Sequence, residues 1–304
     1  MASLKEVKTR IASVNSTRKI TSAMKMVASS KLHHAQLAIE RMRPYERQLT
    51  RIMSTFISSM EGEVDTPYAE QREVKRVAII LFTSNSSLCG AFNINVVKEF
   101  TRMLEGYHRQ GVEIVKVYPF GKKALDAVAK MGFTSLPDLC TQMDHPSYEA
   151  ASQIAEELML MFKNDEVDHV DLIYHHFKSA GSQVLTTETF LPVQMDKQVP
   201  AQHNGLQAGT ASAVKSEKQA ALNFIVEPSK EEVVRQLVPK SLHLKVFAAL
   251  LDSLASEHAA RVMAMQVATD NADELLRELT LTYNKTRQQA ITNELLDIVG
   301  GSMK

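Results

Sequence analysis

The chain has 304 residues, 44% of them hydrophobic, with 35 basic and 35 acidic side chains. It can therefore bury a sizeable core and has room for two domains, and it carries no global field able to hold a polyanion. No unbroken apolar run is longer than the six residues VAIILF at 77–82, far below the roughly 18 that a bilayer-crossing helix needs, and the start MASLKEVKTR lacks the apolar stretch of a secretory signal, which reads as mature and intracellular.

In chain order, the distribution of glycine and proline separates three regions. Residues 1–61 contain no Gly and only Pro44, and apolar residues recur at Leu4, Val7, Ile11, Val14, Met24, Ala28, Leu32, Ala35, Ile39, Met42, Leu49, Met53 and Phe56. That spacing predicts one long amphipathic helix, kinked at Pro44. The middle, 75–195, changes period. RVAIILF at 76–82, EIVKVYPF at 113–120 and VDLIYHHF at 170–177 are strand-like, and helical stretches at about 89–109, 121–131 and 147–163 separate them, an alternation that predicts an α/β domain. SQVLTTETFLPVQM at 182–195 follows its predecessor after SAG and reads as an antiparallel edge strand. Residues 196–222, rich in Ala, Gln, Ser and Lys, read as a linker, and LNFIVEP at 222–228 as an isolated strand, so that 196–230 forms a segment of its own.

The last region, 231–304, is again helical. Leu250, Leu254, Arg261, Met265, Ala268, Ala272, Leu276, Leu279, Tyr283, Ala290 and Ile298 fall near one stripe. Residues 241–299 as one helix would extend about 88 Å, against a diameter of about 50 Å for a compact chain of this length. The helix must protrude, and a protruding helix gains little alone in water, so the two terminal segments are expected to pair as an antiparallel coiled coil. Ala260, Ala264, Ala268 and Ala272, facing Ala23, Ala28, Ala35 and Ala38, would permit close approach of the axes, although alanine also simply favours helix.

Catalytic chemistry finds little support. LFTSNSSLCGAFN at 81–93 sits where α/β sheets often hold phosphate at a helix N-terminus, but it has one Gly, no G-x-G-x-x-G and no G-K-[ST]. Ser84, Asn85 and Ser86 are more simply turn and capping residues. His33 and His34 diverge on a helix, and His175 and His176 point to opposite faces of a strand, so neither pair makes a metal site. Cys89 and Cys140 show no C-x-x-C spacing, and Cys89 has no evident His and acid partners to make it a nucleophile. The local charge is more telling. Between Val7 and Ile39 there are Lys8, Arg10, Arg18, Lys19, Lys25 and Lys31 and no acid. Such a face suits nucleic acid, an acidic membrane or an acidic protein surface; the absence of base-stacking aromatics in the stretch favours the protein, with a basic coiled-coil nucleic-acid-binding protein as the second reading.

KITSAMKMVASSKL at 19–32, TSNSSLCGAFN at 83–93, SEHAARVMAMQVATDNADEL at 256–275 and LTLTYNKTRQQAITNELLDIVGG at 279–301 together resemble the gamma-subunit family of F-type ATP synthases, in the family's order and over nearly the whole chain. The resemblance implies a non-catalytic rotor shaft without a cofactor. Its coiled coil would enter the alpha-beta hexamer, and its α/β foot would sit with the epsilon subunit on the membrane c ring, at the cytoplasmic face of the membrane, with no direct membrane insertion and no nucleic acid. By the same resemblance Arg287 and Gln288 match positions that hydrogen-bond a beta-subunit loop, Met24 and Lys25 match the opposing helix near an acidic beta loop, and Arg261 belongs to the same coupling region. Phe224 and Glu227 align with the foot strand facing the c ring or epsilon. A shaft that must take successive orientations inside a sleeve is expected to be polar where it turns, which accounts for the polar run 284–289. The chain departs from the family in SNSSLCGA, where Asp-Arg-Gly usually precedes LCGG, and in Arg18, where Gln is usual; the first change bears on how that turn meets neighbouring subunits. It has no chloroplast-type cysteine insert, which argues against thiol regulation, and its start favours a bacterial chain over an imported precursor.

Overall fold

The computed structural model describes residues 4–59, 66–134, 136–193 and 229–302. The expected linker at 196–222 and strand at 222–228, with Phe224 and Glu227, lie outside the described residues. Helix α1 (Leu4–Ser59) is followed by β1 (Arg76–Phe82), α2 (Phe92–Arg109), β2 (Glu113–Phe120), α3 (Lys122–Lys130), α4 (Cys140–Asp144), α5 (Tyr148–Lys163), β3 (His169–Ser179), β4 (Ser182–Leu191) and α6 (Lys230–Ser302).

The sheet has the order β2-β1-β3-β4, with β1 parallel to both β2 and β3, and β4 antiparallel on the edge. β1 lies between two parallel neighbours with both faces covered, which is why its sequence is an unbroken apolar run instead of an alternating one. Val77, Ile79 and Leu81 pack on Val96 and Phe100 of α2 and on Ala124 and Val128 of α3. On the opposite face, Ala78, Ile80 and Phe82 share a core with Ala155, Leu158 and Phe162 of α5, with Val246, Leu250 and Leu254 of α6, and with Leu32 and Ile39 of α1. The two terminal helices thus form one wall of the domain before they leave it. Gly121 (φ +92) joins β2 to α3 so closely that a Cβ there would lie 2.2 Å from the Thr83 carbonyl oxygen; only glycine fits.

α1 runs through Pro44 as a single helix with the ring exposed, so the expected kink does not divide it. α2 starts at Phe92, not near 89, because Leu88 (φ +69) and Gly90 (φ +61) hold the preceding turn in the left-handed region. Antiparallel pairing of α1 with α6 is fixed by polar contacts across the seam. Arg18 Nη1 donates to Asp273 Oδ1 at 3.0 Å, the hydroxyls of Thr21 and Thr269 lie 2.9 Å apart, and Lys25 Nζ donates to Gln266 Oε1. Ala28 and Ala272 are both buried, but Ala23 is exposed and lies off the seam.

Candidate interaction surfaces on the shaft

Advancing one residue on α1 for each one retreated on α6, the register sets Leu4 opposite about residue 287. α6 therefore outruns its partner. Its last turns expose Ile291 (49%), Leu295 (58%), Leu296 (64%), Ile298 (68%) and Val299 (56%). The sequence stripe carried Ile298 as a packed residue; the periodicity continues there, but the opposing helix has ended. Arg287 and Gln288 sit at this boundary, both exposed. The apolar tip beyond them was missed from sequence, because the register of the seam that exposes it comes from contacts made only on folding.

A second group lies about 30 Å down the shaft, some 20 residues at 1.5 Å each. Met24 and Lys25 are partly exposed on α1, and Lys25 Nζ already donates to Gln266, whose Nε2 in turn donates to Asp270 Oδ1 at 2.7 Å. That partner is neutral, so the ammonium charge stays uncompensated within the pair. Lys8, Arg10, Lys19 and Lys31 are exposed too, whereas Arg18 is paired with Asp273. Arg261 differs from the other candidates: its side chain is only 12% exposed, Nη2 donates to Glu257 Oε1 at 2.6 Å and Nη1 to the carbonyl of Ser87. Burial pushes the Glu257 carboxyl up, against the pull of Arg261. Neighbouring His258 is driven down to about 4, by burial first and then by Lys31 and Arg261.

The 84–90 turn has its own occupants. Ser84 N–H donates to Asn93 Oδ1 at 2.9 Å, Asn85 Nδ2 donates to the Cys140 carbonyl (2.8 Å) and to Asp144 Oδ2 (2.7 Å), and Asn85 Oδ1 accepts from Lys122 N–H at 3.0 Å. Groups that would face a phosphate are thereby used as struts. Cys89 is buried against Asn93, and burial with the nearby Asp138 raises the Cys140 thiol to about 11, which keeps it protonated. His175 is buried and stacks on Phe92 at a centroid distance of 4.4 Å, while His176 Nδ1 lies 2.5 Å from Asp252 Oδ2 of α6. Among the described residues no cluster of His, Cys, Asp or Glu could hold a metal ion, and no helix is long and apolar enough to cross a membrane.

A family model described as ATP synthase matches residues 3–303. The ATP synthase gamma chain of Phocaeicola vulgatus is 54% identical over 303 residues, covering 100% of both chains. The chain belongs to the ATP synthase gamma chain family. That of Bacteroides thetaiotaomicron is 53% identical, again over 100% of both, and that of Flavobacterium johnsoniae is 45% identical over 99% of this chain and 98% of its own. In fold the gamma chain resembles one in the Euglena gracilis mitochondrial ATP synthase, OSCP/F1/c-ring, with a TM-score of 0.62 at 21% identity, covering 99% of this chain and 93% of that one. A chain of the Tetrahymena thermophila central stalk/c-ring gives a TM-score of 0.54 at 22% identity, over 82% and 99%. As a gamma chain it is a non-catalytic subunit of ATP synthase, and the nucleic-acid alternative finds no support in these relatives.

Proposed function

We propose that this gamma chain is the rotor shaft that couples ion flow through a membrane c ring to the catalytic sites of an alpha-beta hexamer, and that it thereby governs ATPase activity and ion flow. The observation that carries this reading is the tip of α6, where the large apolar side chains of Ile291, Leu295, Leu296 and Ile298 stand exposed beyond the reach of the described part of α1. An exposed apolar group of that size marks a surface that another protein covers. A closed hexamer surrounding the tip would do so while allowing it to turn, and Arg287 and Gln288 would then meet a beta loop once in each third of a revolution. Met24, Lys25 and the exposed Lys8, Arg10, Lys19 and Lys31 of α1 suit an acidic loop of beta lower on the shaft. Lys25 can keep its bond to Gln266 and still offer donors outward. The segment with Phe224 and Glu227 is proposed to face epsilon or the c ring, with the whole assembly peripheral at the cytoplasmic face of the membrane.

The test is reconstitution. The chain should co-purify with the alpha-beta hexamer of its source and restore ATP-driven proton pumping to membranes stripped of their own gamma subunit. A chain that binds the hexamer and leaves pumping at background would sink the coupling reading.

A further inference from the structure

Four side chains of α6 fasten it to the α/β domain in succession along the helix. Lys245 Nζ donates to the Thr189 carbonyl (2.8 Å) and pairs with Glu188 Oε1 (2.9 Å), Asp252 meets His176, Ser256 Oγ donates to the His175 carbonyl at 3.0 Å, and Arg261 reaches the Ser87 carbonyl. The next polar links along α6, from Gln266 and Thr269, go to α1 instead. Arg261 thus stands where the shaft leaves the domain. We infer that Arg261 is a positioning residue for torque transfer: its guanidinium bolts the 84–90 turn to α6, so that the α/β domain and the coiled coil rotate without slack. This inference rests on the rotor reading above.

The chemistry suits that task. A planar guanidinium can satisfy two acceptors in fixed directions at once, here the Glu257 carboxylate and the Ser87 carbonyl, whereas an ammonium is a point charge on a freely turning stem. Glu257, 7% exposed, holds the fork from within the same helix at i, i+4. On the other side the turn is rigid, because Asn85 ties it to α4 and to the start of α3, and Leu88 at φ +69 turns the peptide that carries the Ser87 carbonyl. Beside the bolt, the turn passes close to the helix: a Cβ on Gly90 would lie 4.0 Å from the Ala264 Cβ.

The experiment measures protons pumped per ATP hydrolysed in the assembled complex. Arg261→Met, which retains the apolar stem, should lower that ratio at least threefold while the hexamer still hydrolyses ATP; Arg261→Lys should fall between it and the wild type. Glu257→Gln combined with Arg261→Met removes the buried unpaired acid and should pump no better than Arg261→Met alone. Covalent repair is the decisive arm. In a Cys89→Ser, Cys140→Ser chain carrying Arg261→Met, the pair Gly90→Cys and Ala264→Cys meets the Cβ separation of about 3.5 to 4.5 Å that a disulfide requires; the φ of +61 at position 90 strains any side chain there, and the reduced chain, which bears the same strain, is the control. Oxidation should restore the ratio and reduction should abolish it again, a reversal that lost packing alone would not show. A wild-type ratio in Arg261→Met, or a closed disulfide that leaves the ratio low, overturns the bolt while the rotor reading stands. If Arg261→Met does not assemble, a wild-type ratio in Arg261→Lys overturns the bolt equally. Failure of the wild-type chain itself to pump overturns both.

Discussion

The two halves of α6 obey opposite rules. Between Leu242 and Ala259 the helix is buried on nearly every side, with Val246, Leu250 and Ala255 completely enclosed by the sheet, α5 and α1. Past Tyr283 every described residue except Thr286 and Ala290 is exposed, including the large apolar ones. One continuous helix is therefore a core element at its base and a rod at its tip, and the same residue type, leucine, acts as packing at 250 and as unoccupied surface at 295. Stability lives at one end and recognition at the other.

The contrast can be broken most severely at the base. Leu250→Ala should destabilise the free chain by about 2 to 5 kcal/mol, while Leu295→Ala should shift it by less than about 0.5 kcal/mol, both measured by denaturant unfolding. Equal losses would erase the distinction. Next in size comes the boundary between seam and tip. Replacing Arg287 and Gln288 together by Ala should leave free-chain unfolding unchanged but weaken the assembled complex by about 1.5 to 3 kcal/mol, read as lower hexamer affinity and ATP-driven pumping. Arg287→Lys should be intermediate, since it keeps the charge and loses the fork. Free-chain destabilisation with normal pumping would make these residues structural.

Acid should find the base and spare the tip. Burial holds His175 down at about 4 against an ordinary 6.5, so it folds neutral. A depressed histidine gives stability that is complete above pH 6.5 and drains away as pH falls toward 4, because only the unfolded chain binds the proton there. From pH 7 to pH 5 this should cost about 2 kcal/mol. His258, held at about 4 too, adds a slope over the same range, so His175→Phe, which keeps a ring against Phe92, should remove about half of the combined loss; an unchanged slope would exclude His175 as a source. The smallest effect is expected from locking the coil on itself. Thr21→Cys with Thr269→Cys, whose hydroxyls lie 2.9 Å apart, should crosslink readily and leave pumping per assembled complex unchanged, since helices that turn together need not slide. Loss of pumping with assembly intact would refute the rigid shaft.

Much of this architecture was legible in sequence because its causes are local. β1 and β2 occupy the spans their apolar runs announce, and the absence of glycine and proline from 241–299 foretells a helix that nothing interrupts. The α2 start was displaced by three residues, since left-handed backbone at Leu88 is not something leucine advertises. α4, five residues long, is too short to show a period. Ile298 and Ala23 were placed on the seam because periodicity records a face and says nothing of whether a neighbour occupies it. Family likeness placed Arg261 in the coupling region, but its bond within the chain goes to an acceptor 174 positions away, a closeness that only folding creates.

The pairing of the first helix with the last also sets a clock on biosynthesis. Arg18 leaves the ribosome 255 residues ahead of Asp273. At about 5 to 20 residues per second it waits roughly 13 to 50 s for its partner, and for that time α1 is a basic, amphipathic segment with nothing to wrap. A lone helix of this kind is marginal in water, so the first structure encoded is among the last secured. The α/β domain, complete in sequence by Leu191, can collapse meanwhile around β1 and α5, but the wall it lacks arrives only when Leu242 to Leu254 emerge. The end of translation, more than its beginning, decides when this molecule first has its shape.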